Sequence, residues 1–350
     1  MRIIAVVAVL MAAHVPPASP VGAVAPRSVA VVNASTSAAE MNARTTEITG
    51  LGDLFDGFRT APLEDGRWLS FTGDATAEDG QVWPVYDNAA VVWDQGTQRR
   101  VQSLWPGGHF FPRWPDGSEF WPGQFLVSGT QVYVIGSRVK TYPGVMQWTA
   151  LGAYGATVEV PAGGDPLFLR YWPTPSSGLD DTAVQWSGAI AADDSYVYVH
   201  GLRDRPDAYH ARDGGYVARV PLGWLEIPHR WQFWTGSTWS RYDDNAVPTI
   251  PLGAAGTNGT SSAYTLHRTA VGEWQVTTKR GGDLASGLGR YVAPSPWGPW
   301  SWQQLLPDSA VCSMDCYLTG AAPGIPTTSG QLLVQWSRTN SSPVWAEVPQ

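Results

Sequence analysis

The sequence predicts an all-β fold, a five-bladed β-propeller, on three observations: an aromatic-rich composition, dense glycine and proline punctuation, and a strand motif that recurs five times. The chain has 350 residues, 43% hydrophobic and only 15% charged. That is apolar material enough for a large core, and it excludes disorder for most of the chain. Nineteen Trp and 13 Tyr favour pleated, half-buried surfaces. Thirty-eight Gly and 28 Pro divide the chain into short pieces. Apolar stripes of helical period are scarce, so the pieces read as strands joined by turns.

The recurring motif is a turn, a strand of aromatic and branched residues, and a small polar exit. Its copies occupy residues 64–74, 128–138, 193–203, 271–280 and 329–338. Counted from Arg67, Gln131, Ser195, Glu273 and Gln331, successive copies lie 64, 64, 78 and 58 residues apart. A spacing near sixty suits one four-stranded blade with generous loops, and five copies suggest five blades stacked around an axis. A double sandwich or jelly roll would also supply turn–strand segments. The shared exits weigh against it: four copies end in Arg138, Arg203, Arg280 and Arg338, and the first ends in Gly73-Asp74.

The formal net charge of -8 offers no basic surface for exchanging counterions with phosphate, so nucleic acid is not an expected partner. A neutral polymer or small uncharged ligand fits better. The N-terminus has the pattern of a secretory signal: Met1-Arg2, a short apolar run over 3–13, then prolines and small residues before Ala23-Val24-Ala25. The expected organisation is therefore a signal peptide over 1–25, a flexible leader over 26–46 and a propeller domain over 47–350, secreted and with no membrane span. A monomer is expected. Cys312 and Cys316 are the only cysteines. In an exported chain they read as one small-loop disulfide, and with no histidine nearby neither a metal site nor a cofactor is expected.

Beyond the repeat the chain carries an ordered set of motifs. The first is Asp56-Gly57 followed by Ala61-Pro62-Leu63-Glu64-Asp65-Gly66-Arg67-Trp68-Leu69-Ser70-Phe71-Thr72-Gly73-Asp74. Asn88-Ala89-Ala90-Val91-Val92-Trp93-Asp94, Trp121-Pro122-Gly123-Gln124, Tyr196–Gly201, Gly215–Pro221 and Ser295-Pro296-Trp297-Gly298-Pro299-Trp300 follow. In this order they resemble a family of secreted actinobacterial propellers, a domain of unknown function that includes endo-D-arabinanases. The family is similar in architecture to the furanosidase propellers. The resemblance implies a glycosidase-type site at the mouth of the central channel.

Glycoside hydrolysis usually needs two carboxyl groups across the scissile bond. The resemblance assigns these to Asp74 and Asp56, 18 positions apart on neighbouring strands, with Asp53 competing for the second role. An ordinary strand-end turn, or an ion pair with Arg138 or Arg203, would also account for Asp74. Candidate substrate-binding residues are Trp121 and Trp186 as stacking faces, with Gln124, Asn88, Arg138 and Arg203 as polar partners. Two positions depart from the family pattern. Gln124 stands where a carboxylate is expected, and Ala322 where a histidine is. These departures keep a non-catalytic glycan-binding propeller open as the alternative.

Overall fold

The computed structural model describes residues 35–48, 51, 56–76, 86–94, 96–143, 147–180, 182–204, 212–253, 258–283, 285–307, 316–338 and 341–350. The signal-peptide expectation, Asp53 and Cys312 lie outside them, and so does the Cys312–Cys316 pairing. Cys316 itself is buried.

Five antiparallel sheets form the five blades of a propeller. The first holds β1 (Phe58–Pro62), β2 (Trp68–Thr72), β3 (Ala89–Asp94) and β4 (Thr97–Arg100). The second holds β5 (Glu119–Ser128), β6 (Gln131–Thr141), β7 (Trp148–Glu159) and β8 (Leu167–Pro173). The third runs β9 (Gln185–Ala192), β10 (Val197–Asp204), β11 (Arg212–Val220), β12 (Gln232–Trp234) and β13 (Trp239–Ser240). The fourth is β14 (Thr265–Arg268), β15 (Trp274–Thr278), β16 (Leu288–Ala293) and β17 (Ser301–Leu306). The fifth is β18 (Cys316–Ala321), β19 (Leu332–Arg338) and β20 (Ser341–Val348).

Each copy of the sequence motif forms the second strand of a blade: β2, β6, β10, β15 and β19. The reason is burial. A second strand is paired on both edges and covered by adjacent blades on both faces, so it reads as a near-continuous run of aromatic and branched residues. Every residue of β2 and of β15 is buried.

Packing closes the ring. One apolar cluster joins Phe71 and Val92 to Phe120 and Val134, between the first two blades. Others join Ile135 to Trp186 and Val199, Tyr198 to Trp274 and Leu266, and Leu288 to Val334 and Trp336. The fifth joins Phe58 and Trp93 to Leu333 and Trp345, together with Met41 and Ile48. Each cluster draws its buried apolar side chains from two neighbouring blades, so every blade depends on both neighbours for its core.

The last interface departs from the leader expected over 26–46. Within its described part this segment is structured: Thr36 bridges to Thr327, and α1 (Ala38–Thr45) follows, N-capped by Ser37, whose hydroxyl accepts from Glu40 N. The helix lies against β20. Asn42 Nδ2 donates to Trp345 O, and Asn42 Oδ1 accepts from Trp345 N at 2.8 Å. The side-chain amide thus acts as a further strand would and covers the exposed edge. Arg44 reaches Gln98 Oε1 and the Asp94 carbonyl on the first blade. This short helix of eight residues therefore clasps the first and last blades. Its Ala- and Thr-rich sequence gave no period by which to foresee it.

The innermost strands β1, β5, β9, β14 and β18 present unpaired main-chain edges to the channel. Side chains meet them. Gln124 Oε1 accepts from Ile190 N and Leu266 N, and its Nε2 donates to Leu266 O at 2.7 Å.

Candidate active site

The starts of the first strands and the ends of the second strands share one face of the propeller, and the candidate site lies at that mouth. The β1–β2 register ends with Phe58 opposite Thr72, and beyond it the pairing bulges, so that Asp56 meets both Gly73 and Asp74. Asp56 N donates to Asp74 O at 2.8 Å, and Gly73 N donates to Asp56 O at 2.7 Å. The bulge brings the main chain of residue 56 against residues 73 and 74. Gly57 makes the approach possible. It holds φ at 54°, in the left-handed region, and a Cβ there would press on Leu318.

The two carboxyl groups differ in environment. Asp56 accepts a hydrogen bond from the Tyr317 hydroxyl, across from the fifth blade. Burial pushes Asp56 up to about 6, and the Tyr317 hydrogen bond opposes that rise. Asp74 lies well above the usual carboxylate range, first through burial and then through the charges of Asp56, Glu119 and Asp87. Two carboxyl groups placed together cannot both ionise at low cost. The stronger upward push falls on Asp74, so Asp56 is the one that ionises first.

Four more side chains complete the mouth, and the sequence reading missed all of them. Asp87 precedes β3, and Arg113 grips both its carboxylate oxygens through Nε and Nη2. Arg113 Nη2 also lies 3.7 Å from Glu119, the first residue of β5. Glu119 is buried and raised above the usual glutamate range by burial and by Asp87. His109 Nδ1 accepts from Asp87 N, and burial keeps the ring below the ordinary histidine value. The mouth thus holds four carboxyl groups and one half-exposed guanidinium.

Trp121 lies beside Asp74, its indole N–H facing the carboxyl without closing a hydrogen bond of standard geometry, and its ring meets Trp148 edge-on at 5.4 Å. The Trp-Pro-Gly-Gln motif lies within β5, where the register slips between Pro122 and Phe125. Gly123 sits so close to the Ile135 and Ser187 carbonyls that a Cβ would collide. This bulge points Trp121 to the mouth and Gln124 into the channel.

The remaining sequence candidates lie elsewhere. Gln124 is consumed by the channel hydrogen bonds described above. Asn88 is fully buried, holding Phe111 N at 2.7 Å and donating to Phe120 O. Trp186 is a core residue between the second and third blades, where its ring packs on Phe233. Arg138 is paired with Asp116 and Ser118 and lies over Trp114. Arg203 lies over the Tyr216 ring. Neither arginine is paired with Asp74. Ala322 is buried among Phe58, Leu333 and Trp345. A polar or aromatic residue near a strand end can face the mouth or the neighbouring blade, and only the blade's register decides which.

No group of three or more potential metal ligands is assembled among the described residues.

Comparison with solved structures finds the same architecture in other proteins. A Bacteroides ovatus protein described provisionally as a hydrolase is 14% identical, with a TM-score of 0.64 and 88% of each chain covered. The endo-arabinase of Bacteroides thetaiotaomicron is 14% identical, with a TM-score of 0.53 over 87% of this chain and 97% of the other. At such identity the likeness is one of fold. No curated protein sequence matches. A family model does match, over residues 56–334, a span that begins at Asp56 and takes in every residue of the mouth: the chain belongs to the domain of unknown function family DUF5005.

Proposed function

We propose that the protein is a glycoside hydrolase acting on furanosidic linkages of an arabinan-like cell-wall polysaccharide. Asp74 serves as general acid and Asp56 as the ionised carboxylate facing the anomeric carbon. The observation that carries this reading is the opposed pair Asp56/Asp74, with Tyr317 bonded to one member and like charges surrounding the other. General acid catalysis needs a carboxyl group that keeps its proton near neutral pH, and its partner must hold charge. Burial, the acidic neighbours and the phenol divide the two roles.

The main-chain contact between residues 56 and 74 is the basis for proposing the short separation of retaining enzymes, about 5–5.5 Å, over the longer gap of about 6.5–9.5 Å that admits a water. In this reading Asp74 protonates the departing sugar oxygen while Asp56 attacks the anomeric carbon. Asp74, now a carboxylate, then takes a proton from the water that releases the sugar. Trp121 offers an apolar face beside Asp74, and Arg113 offers N–H donors to hydroxyl groups. Export of the chain is part of the same proposal and rests on its N-terminal sequence; a monomeric state is proposed with it.

The endo-arabinase named above shares the fold, which supports the substrate class. Gln124 and Ala322 no longer weigh toward a purely binding role, because both are scaffold residues outside the carboxyl cluster. The test is incubation with arabinan and arabinogalactan, scoring new reducing ends for the wild type, Asp74→Asn and Asp56→Asn. The proposal expects release by the wild type and a loss of at least a thousandfold in each variant. Equal release by all three, or none by the wild type on either polymer, would refute it.

A further inference from the structure

Tyr317, the donor to Asp56, stands at a weak point of the fifth blade. β18 pairs with β19 at Cys316 and Tyr317, opposite Arg338 and Ser337, and then the register slips until Gly320. Leu318, the next residue, has a φ of 49°, in the left-handed region that branched side chains avoid. A short stretch of ladder at a strand end frays easily. The Asp56 side of the contact is better fixed, because Gly57 N donates to Ser337 Oγ at 2.9 Å. The ladder alone does not fix Tyr317.

Two buried cations, from the two neighbouring blades, hold the main chain on either side of it. Arg59, on β1, is buried; its Nη1 donates to Leu318 O at 3.1 Å and its Nη2 to Thr319 O at 3.3 Å. Lys279 directly follows β15 in the fourth blade and is wholly buried. Its Nζ donates to Cys316 O at 2.7 Å and, on its own blade, to Asp283 O at 2.8 Å. Its main-chain N donates to Ser261 Oγ, so the stem starts from a held position. Burial lowers the ammonium to about 8 and Asp283 opposes that fall, so Lys279 keeps its charge at pH 7. Asp283 is itself paired with Arg212 at 2.6 Å. A charged donor makes a hydrogen bond about twice as strong as a neutral one. An apolar side chain of equal length would fill the same space with less desolvation, but it could not fix the Cys316 carbonyl.

We propose that Lys279 is a positioning residue of the candidate site: by holding the carbonyl that precedes Tyr317, it keeps the phenol hydroxyl on Asp56. The proposal rests on the reading of Asp56 as the member of the pair that carries charge. Lys279 touches the main chain of that segment rather than either carboxyl group. Among the described residues, the titrating groups that bear on the Asp56–Asp74 pair are Tyr317, Asp87, Glu119 and Arg113. The state of a carboxyl in the first blade thus depends on the seam between the fourth and fifth.

The test is the titration of Asp56, followed by carbon NMR of the full chain with labelled aspartate carboxyls and assigned by the resonance missing in Asp56→Asn. Lys279→Met keeps the length of the stem and removes its donors. With the Cys316 carbonyl released, the phenol leaves Asp56 in part of the population, and the Asp56 pKa should rise by about 1 unit, within the rise expected for Tyr317→Phe. The decisive comparison is the double variant: added to Tyr317→Phe, Lys279→Met should shift Asp56 no further. The same shift in both backgrounds, which a lost charge acting through space would give, overturns the proposal. So does an Asp56 titration unmoved by Lys279→Met. Should that variant fail to fold, Lys279→Gln, which keeps amide N–H donors on a shorter stem, carries the same comparison. A wild-type crystal structure with the ammonium turned away from Cys316 O overturns the proposal without any variant. The titration needs no substrate, so absence of polysaccharide cleavage refutes the glycosidase reading and leaves the link from Lys279 to Tyr317 decided by NMR.

Discussion

Replacing Asp56 by asparagine should make the protein more stable at neutral pH, although the residue is central to the proposed chemistry. In the folded chain burial raises this carboxyl to about 6, against about 3.9 in an unfolded chain. The folded state therefore binds the proton more tightly. Its contribution to stability is fully present below about pH 4 and is lost as the pH rises through about 6. A difference of about two pH units at 1.36 kcal/mol each sets an upper limit of about 3 kcal/mol at pH 7. Asp56 is partly exposed, and solvent screening reduces the figure to about 1–3 kcal/mol. Asparagine keeps an acceptor for the Tyr317 hydroxyl and carries no charge, and it also relieves the repulsion felt by Asp74. The assay is urea unfolding of both proteins at pH 7 and at pH 4. The variant should gain about 1–3 kcal/mol at pH 7, a rise of a few degrees in Tm for a domain of this size, and almost nothing at pH 4. A loss of stability at pH 7, or the same gain at both values, would show that Asp56 is not a buried carboxylate held against its preference.

Three further outcomes follow from the same structure. Tyr317→Phe removes a donor to the ionised form of Asp56, so the acid limb of the kcat/KM profile should move up by about 1–2 pH units, since a hydrogen bond to a charged group contributes about 1.5–3 kcal/mol; an unmoved limb would detach Tyr317 from the site. Gln124→Ala leaves main-chain groups of Ile190 and Leu266 without their partner, and urea unfolding should show a cost of about 2–4 kcal/mol while a folded variant keeps its reducing-end release. Asn42→Ala removes the amide that pairs with Trp345 at the edge of β20. Hydrogen exchange should then rise first in β20, at a cost of about 1–3 kcal/mol, and uniform exchange across all five blades would contradict the clasp.

The architecture was legible because one strand in each blade is buried on both faces and keeps an aromatic, branched signature wherever it occurs. The same regularity exposed Asp74, whose copy of the motif alone ends in an acid. Its partner Asp56 was reachable because strand pairing converts a sequence interval into a contact. Asp87, Glu119, Arg113 and His109 were not reachable. They come from the start of β3, the start of β5 and the long connection between them, and no sequence period aligns such positions. An acidic residue immediately before the aromatic strand start at Phe120 was the one available hint. Asn88 and Trp186 were misplaced for a related reason. A residue at a strand start reads the same whether it faces the mouth or the neighbouring blade, and burial in the ring decides between them. The closing helix was hidden because its role depends on a side-chain amide, Asn42, rather than on an apolar stripe.

The most direct measurement is a crystal structure of Asp74→Asn soaked with an arabino-oligosaccharide. The account predicts a sugar seated across the mouth, its glycosidic oxygen within hydrogen-bond distance of position 74, its anomeric carbon facing Asp56, and one ring against Trp121. A sugar bound only on the outer face of the blades, with the mouth holding solvent alone, would contradict the central claim that Asp56 and Asp74 form the catalytic pair.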